Sequence, residues 1–537
     1  MYNYEYVENF YNIFYKIIFF FFDINFINLY LYMFILIIIL CFINKYNLNL
    51  LKKVSLFGSL FIFIYSLILL YNYNFYNSNF EEIFYLDNFI NNNIIFINFI
   101  IGIDSISILF IVLTTILCPL CILISWNNIK FNLKSYLILI LFTEILLILV
   151  FSVLDIFLFY ILFESILIPM FLIIGVWGSR KRRIHAAYQF FLYTIFGSII
   201  MLLSLLFIYS NLKSTDYLLL IYEYKDYTNF FSKYREYILW LCFYIGFSIK
   251  IPMVPFHIWL PEAHVEAPTA GSVLLAGVLL KLGCYGFIRF SIPLLGKAND
   301  FFLPFIYTIC ILGIIYCSLT IIRQIDLKKM IAYSSVIHMN FCLLGLFTSN
   351  IQSISGSFFL MLTHGIVSGG LFLSIGILYE RYNTRIIKYY NGLNLFMPIF
   401  SVIFLILILS NTGFPGTGNF IGEFLVIIGV FQSNIFIIII SSLSLIFSGA
   451  FSFWLYNRVF FGYLTNNFFF KFSDINKREF YIFIPIIFLI FISGIYPNFF
   501  FSLFNLNLID IINNKNYFYD YEKFNYFIEI ENTYTIS

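Results

Sequence analysis

The sequence predicts an all-α polytopic membrane protein of about 14 transmembrane helices. Two observations predict it. Of the 537 residues, 62% are hydrophobic and only 11% are charged. Apolar runs close to a bilayer's thickness recur along nearly the whole chain. Soluble domains carry about 25% charged residues, so this chain cannot cover a surface facing water. A helix crossing roughly 30 Å of hydrocarbon needs about 20 apolar residues. On that measure the spans fall at 25–44, 54–73, 101–125, 135–153, 155–176, 186–210, 238–258, 268–291, 302–322, 329–348, 353–379, 395–430, 435–462 and 480–500. Residues 10–22 are apolar but short, and are expected to lie at the interface or fold back. The mixed-charge segment 211–236 is expected to be a loop. The tail 505–537, rich in Asn, Tyr and acidic residues, is expected to be peripheral.

The charges support this order. Loops after odd-numbered spans carry most of the chain's 30 Lys and Arg residues. Between spans, loops after even-numbered ones hold only Lys213, Lys225, Lys233, Arg235, Arg289 and Lys297. Lys and Arg mark the side from which a membrane protein inserts. The odd loops are therefore expected on the matrix or cytoplasmic side, with both termini opposite. The first segment lacks a basic start and a small-residue cleavage site, so span 1 is expected to act as an uncleaved insertion signal. The abundance of Phe, Tyr, Ile and Asn suggests AT-rich codons and a compact organellar genome.

Several ionisable residues fall near the centres of spans: Glu164, Lys250, Lys281, His338, His364 and Glu423. A charge at the bilayer centre costs roughly 2.5–3.5 kcal/mol on insertion scales, and acids, lysines and histidines kept there in one bundle suit a proton relay. Burial draws a lysine's pKa down and a carboxylate's up, so that both can exchange protons near neutrality. Bland readings stand beside this one. Glu164 with Lys250 could be a static pair locking two helices, and either histidine could simply be packed. Glu144 also falls mid-span in an undistinguished setting and is left out of the relay.

Helix breaking is the second signal. Span 7 is interrupted just after Lys250 by Pro252 and Pro255, and span 12 by Gly413, Pro415, Gly416 and Gly418, just before Glu423. Proline removes a backbone donor, and freed backbone groups inside a membrane must be satisfied by protein or water. Broken helices five spans apart, each beside a charge, fit an inverted-repeat transporter, though ordinary kinks would also put prolines here. The implied division is 1–134, N-terminal helices; 135–291, a first five-helix repeat; 302–462, a second, inverted repeat; and 463–537, a last helix with a peripheral tail.

The stretch SIKIPMVPFHIWLPEAHVEAPTAGSVLLAGVLLKLGCYGFIRF, 248–290, resembles the central motif of the antiporter-like membrane subunits of respiratory complex I, the proton-pumping NADH:ubiquinone oxidoreductase. Its H-x-W-L-P-x-A-H-x-E-A-P-x-A-G-S form is similar to the subunit 4 branch. FESILIPMFLIIGVWGSRKRR, DLKKMIAYSSVIHM and GFPGTGNFIGEF resemble the same branch, and together the likeness covers roughly 150–430. It implies that Glu164 and Lys250 form a pair responsive to a neighbouring channel, that Lys281 is the central relay lysine, that His338 and His364 continue the polar axis, and that Glu423 exchanges protons with one aqueous side. It also implies a multi-pass protein of the mitochondrial inner membrane beside other membrane-arm subunits, including further antiporter-like ones, with membrane lipids and protons as its other partners. NADH, FMN, iron–sulfur clusters and ubiquinone are then expected in partner subunits.

Other chemistries find little footing. No basic patch with interleaved aromatics suggests nucleic acid, and no phosphate-binding glycine loop or nucleophile triad appears. Cys118 and Cys121 form a lone C-x-x-C inside an apolar helix, which reads as a buried face. His257, Glu262, His264 and Glu266 could suggest a metal, but a hydrated loop capping the broken helix suits them better. Three rivals remain: a subunit of a multi-subunit cation/proton antiporter, a purely structural membrane subunit, and a solute carrier with a midplane pocket.

Overall fold

In a bilayer every backbone N–H and C=O must be paired within the protein, and a helix does this segment by segment. The computed structural model, which describes residues 25–77, 79–86, 99–226, 233–462 and 473–512, is accordingly helical almost throughout. Among these residues eleven helices are long and apolar enough to cross a membrane. They correspond to spans 2–6, 8–11, 13 and 14 of the sequence reading. Span 1 is the shorter helix Phe26–Phe42, and spans 7 and 12 are divided. The segment 10–22 and the chain beyond 512 lie outside the described residues.

Both expected breaks are present. Span 7 runs as Lys233–Lys250, turns through 251–258, and resumes as Trp259–Glu266. Span 12 runs as Pro398–Asn411 and Gly418–Ser433. Span 5 is also interrupted, between Ile156–Ser165 and Leu167–Trp177. Pro169 offers no N–H to the carbonyl of Ser165, which explains a weak point one turn earlier.

Four expectations need correction. Glu81–Leu86 and Phe99–Ile103 form a small antiparallel ribbon, β1 with β2, so span 3 begins only at Ser105. The Asp104 side chain caps that helix by accepting the Ser107 amide at 2.9 Å, a strong start signal. The segment 211–236 is not all loop: Tyr217–Asp226 is helical, with Tyr217 and Leu220 buried. Residues 505–512 are not peripheral, since the helix Pro497–Ile512 buries Phe504 and Leu508. Arg289 is not a loop residue. It lies inside span 8, buried, with its Nη2 2.6 Å from Asp104 Oδ2.

The centre of the bundle is the charged part. Span 8, Thr269–Leu294, is wholly enclosed, and spans 10 and 11, Leu327–Phe347 and Ile351–Tyr382, are 94% buried, against 33% for spans 2, 13 and 14. A core this deep must admit close backbone approach. Gly283 allows it, since a Cβ there would lie 2.9 Å from the Phe247 carbonyl of span 7.

One closure occurs twice. Before span 5, Ile156 donates to the Thr215 carbonyl at 3.0 Å and Tyr217 to that of Leu154 at 3.1 Å. Before span 10, Leu327 donates to the Arg385 carbonyl and Ile387 to that of Ile325, both at 3.0 Å. Each closure follows a long helix ending in a left-handed residue, Lys213 at φ 59° and Asn383 at φ 54°.

The Arg289–Asp104 pair ties span 8 to the start of span 3. Removing one member of a buried pair strands the other charge, at about 3–5 kcal/mol. Arg289→Gln should therefore lower the thermal aggregation temperature of the extracted protein. Adding Asp104→Asn, which keeps a capping residue, should recover part of the loss. An unchanged temperature in the single variant would show that the pair does not hold these helices.

Candidate proton-relay site

Span 8 carries Lys281 at its middle, with no exposed surface. The helix is π-wound on both sides of it, at Leu275–Leu279 and Phe287–Ser291. Such turns shift the register of a helix and recur at functional sites. Lysine Nζ donates to the Ala276 carbonyl, which belongs to the first π turn. Its other partner is His364 of span 11, with Nζ 3.1 Å from Nδ1. Among the described residues no carboxylate lies within ion-pair distance of Lys281.

The line continues from there. The rings of His364 and His338, on spans 11 and 10, have centroids 5.2 Å apart and planes at 45°. His338 Nδ1 lies 3.0 Å from Glu423 Oε1 on the second half of span 12. Lys281, His364, His338 and Glu423 are all buried, so four helices converge on one polar file inside apolar packing. His364 Nε2 has no protein partner.

The broken helix shapes the far end of the file. Gly413 has φ 69°, in the left-handed region that favours glycine, and a Cβ there would collide with the Glu423 carboxylate. The turn thus puts bare backbone where the acid needs room. Asn419, one helical turn before Glu423, is buried with neither amide atom partnered. Ser368, one turn after His364, has an unpartnered hydroxyl. The sequence reading missed both, although a spacing of four from a relay residue places them on the same helix face. Buried polar atoms without a protein partner are binding points for water.

Glu164 and Lys250 sit differently. Each is the other's nearby opposite charge, yet no direct ion pair joins them among the described residues. Lys250 Nζ donates to the Phe163 carbonyl at 3.3 Å and stands 4.2 Å from the centre of the Phe163 ring. Glu164 turns toward Ser198 of span 6, with Oε1 unpartnered. Pro252 and Pro255 follow Lys250 in the turn of span 7, so the lysine ends its helix, as Glu423 follows the Gly413–Pro415–Gly416 turn.

The remaining polar candidates diverge. Glu262 pairs with Lys329 at 2.7 Å, Glu266 accepts the Arg180 amide at 3.2 Å, His264 stacks on Phe372 with centroids 4.6 Å apart, and the His257 ring meets Tyr316 at 5.5 Å. Four side chains with four different neighbours do not converge on one ion. The Cys121 thiol faces the Ala270 carbonyl at 3.6 Å, a packed helix face as the spacing suggested. Glu144 is buried beside Cys118, and the contacts it makes do not include the file.

The chain matches the family described as NADH:quinone oxidoreductase/Mrp antiporter, TM, over residues 153–452. It is 51% identical over 471 residues to NADH-ubiquinone oxidoreductase chain 4 of Acanthamoeba castellanii, covering 85% of this chain and 91% of that one. For the chain 4 proteins of Chondrus crispus and Arabidopsis thaliana the identities are 53% and 49%, with 87% and 89% of this chain and 94% and 95% of theirs covered. A chain of respiratory complex I from Thermus thermophilus with bound NADH superposes with a TM-score of 0.80 at 24% identity, over 91% of this chain and 99% of that one. That likeness extends the fold match to nearly the whole molecule. The buried polar file, the broken spans 7 and 12, and above all a match at this identity over nearly full length lead to one conclusion: the chain belongs to the NADH:quinone oxidoreductase/Mrp antiporter family of membrane proteins.

Proposed function

We propose that this chain is a proton-translocating membrane-arm subunit of NADH:ubiquinone oxidoreductase in the mitochondrial inner membrane. The observation that carries the reading is the file Lys281–His364–His338–Glu423, with hydrogen-bond distances of 3.1 Å at one end and 3.0 Å at the other. Inside a membrane, a file of titratable side chains, with water at the buried polar atoms between them, is how a proton crosses. Glu423 is the terminal acid, next to the open turn of span 12. Glu164 and Lys250 act on the file by field rather than by contact, so a change of charge in a neighbouring subunit would move their equilibrium and, through it, that of Lys281.

The repeated closures at 154–156 with 215–217 and at 325–327 with 385–387 support two five-helix repeats, 135–291 and 302–462. An odd number of spans inverts the second copy, which puts the two broken helices at corresponding places. Redox chemistry with NADH, FMN, iron–sulfur clusters and ubiquinone belongs to partner subunits, and organellar encoding suits the composition. Driving one charge against 100 mV takes about 2.3 kcal/mol, so quinone reduction elsewhere in the complex must supply the energy.

The alternative is a multi-subunit cation/proton antiporter, which the family description also names. Relatives near 50% identity over more than nine-tenths of their length are chain 4 proteins of the oxidoreductase, and this favours the first reading. On that reading, co-migration of the chain with NADH dehydrogenase activity in mild detergent is the expected outcome. Sodium-dependent transport by the chain alone would reverse it.

Lys281→Ala and Glu423→Gln are expected to abolish proton pumping by this subunit while uncoupled NADH oxidation persists in part. Full pumping with Lys281→Ala would remove the relay. Gly413→Ala tests the turn. Left-handed strain costs about 1–2 kcal/mol at a single residue, and the new methyl also strikes Glu423. Gly416→Ala, at φ 92° with open space around its Cβ, carries strain alone. Pumping per NADH should fall further in the first variant. Equal loss in both would leave the acid's position without a role.

A further inference from the structure

We propose that the cavity at the foot of span 8, on the side of the basic loops, binds a phosphate group. The cavity measures about 340 Å³ and is lined by Lys328, Arg385, Lys130, Ser179 and Thr269, with Glu380 the carboxylate in its wall. A water molecule's share of liquid volume is about 30 Å³, so the space is far larger than one water or one halide requires.

The charges in the wall do not balance. Lys328 and Arg385 are each 1% exposed, yet among the described residues no carboxylate lies within ion-pair distance of either. Lys328 Nζ donates to the Ala267 carbonyl at 2.9 Å. Arg385 donates to the Val265 carbonyl and the Ser179 hydroxyl, and its Nε–H, buried, has no partner. Glu380 is already engaged, accepting from Asn128 and lying 3.6 Å from Arg478 Nη2. Glu266, the other nearby acid, accepts the Arg180 amide. Two buried basic groups are thus held directly by carbonyls and a hydroxyl, with the Tyr379 ring 4.6 Å from the guanidinium and Glu266 as the nearby acid. A buried positive charge without a direct ion-pair partner is costly unless an anion enters.

The backbone adds to it. Span 8 begins at Thr269 with Pro268 before it and no side-chain cap. Ala267, Pro268 and Thr269 line the cavity, so the first N–H groups of a 26-residue helix run toward it. A helix start, a guanidinium N–H, an ammonium and two hydroxyls offer donors from several directions. A tetrahedral group with several acceptor oxygens matches that set better than a planar carboxylate or a single ion. A phospholipid headgroup and free phosphate share this chemistry. Bound there, the group would fasten the ends of spans 5, 8, 10 and 11, the frame in which Lys281 and His338 stand.

The test is to image the whole native complex, extracted in mild detergent, at a resolution that separates phosphate from water. It is done once in phosphate-free buffer and once with inorganic phosphate. Tetrahedral density within hydrogen-bond reach of Arg385 and Lys328 is expected. Density that persists without added phosphate and continues into acyl chains assigns a lipid headgroup. Density that comes only with added phosphate assigns the free ion. Separate water peaks, or a side chain of a neighbouring subunit filling the space, overturn the proposal. A second measurement is equilibrium dialysis of the delipidated complex against radiolabelled inorganic phosphate. Hydrogen bonds to a charged group are worth enough that Arg385→Gln should weaken binding about tenfold or more. Unchanged binding in that variant would put the ion elsewhere and overturn the proposal too.

Discussion

The hydrogen bond between Lys281 and His364 is the interaction on which the rest of the molecule turns. It joins the buried amino group of a lysine to an imidazole, and among the described residues no carboxylate lies within ion-pair distance of that lysine. In a low-dielectric interior such a contact persists only where the surrounding helices hold both groups in place, because each buried polar group must be satisfied inside the protein. The spans carrying Lys281, His338 and His364 are the most deeply enclosed, whereas spans 2, 13 and 14 bury only a third of their apolar stretch.

Irregular backbone is concentrated where the file needs it. Two π turns flank Lys281, and the first supplies the carbonyl that its ammonium meets. A left-handed glycine turns the chain beside Glu423 and leaves the acid room. Span 7 stops at Lys250. In a regular helix each carbonyl already accepts one backbone N–H, so a carbonyl at an irregular turn is the more accessible partner for a lysine in the membrane. Each irregularity lies at or beside an ionisable side chain, and membrane proteins tolerate broken helices only beside protein or water.

Much of this was legible in the sequence, for physical reasons. The cost of burying charge made Lys281, His338, His364 and Glu423 conspicuous, and proline and glycine announced the breaks in spans 7 and 12. Their order along the file was not legible, because it depends on which faces of spans 8, 10, 11 and 12 meet. Direct pairing of Glu164 with Lys250 was a fair expectation from opposite charges. The geometry instead turns Lys250 onto the carbonyl and ring of Phe163. The π turns carry no residue signature like that of proline, so nothing in LAGVL or FIRFS announced them. The β ribbon was hidden because the apolar run of its second strand, Phe99–Ile103, continues smoothly into span 3. Arg289 was placed in a loop by its charge, and only its partner Asp104, far away in the chain, explains its burial.

The most direct measurement is the number of protons moved per NADH oxidised by the whole complex in sealed vesicles, with His364 replaced by methionine. Methionine fills a similar space and cannot carry a proton, so it cuts the file at its middle link and leaves both ends and all the charges in place. The account predicts a lower ratio at a matched rate of NADH oxidation. An unchanged ratio in a correctly assembled complex would contradict it.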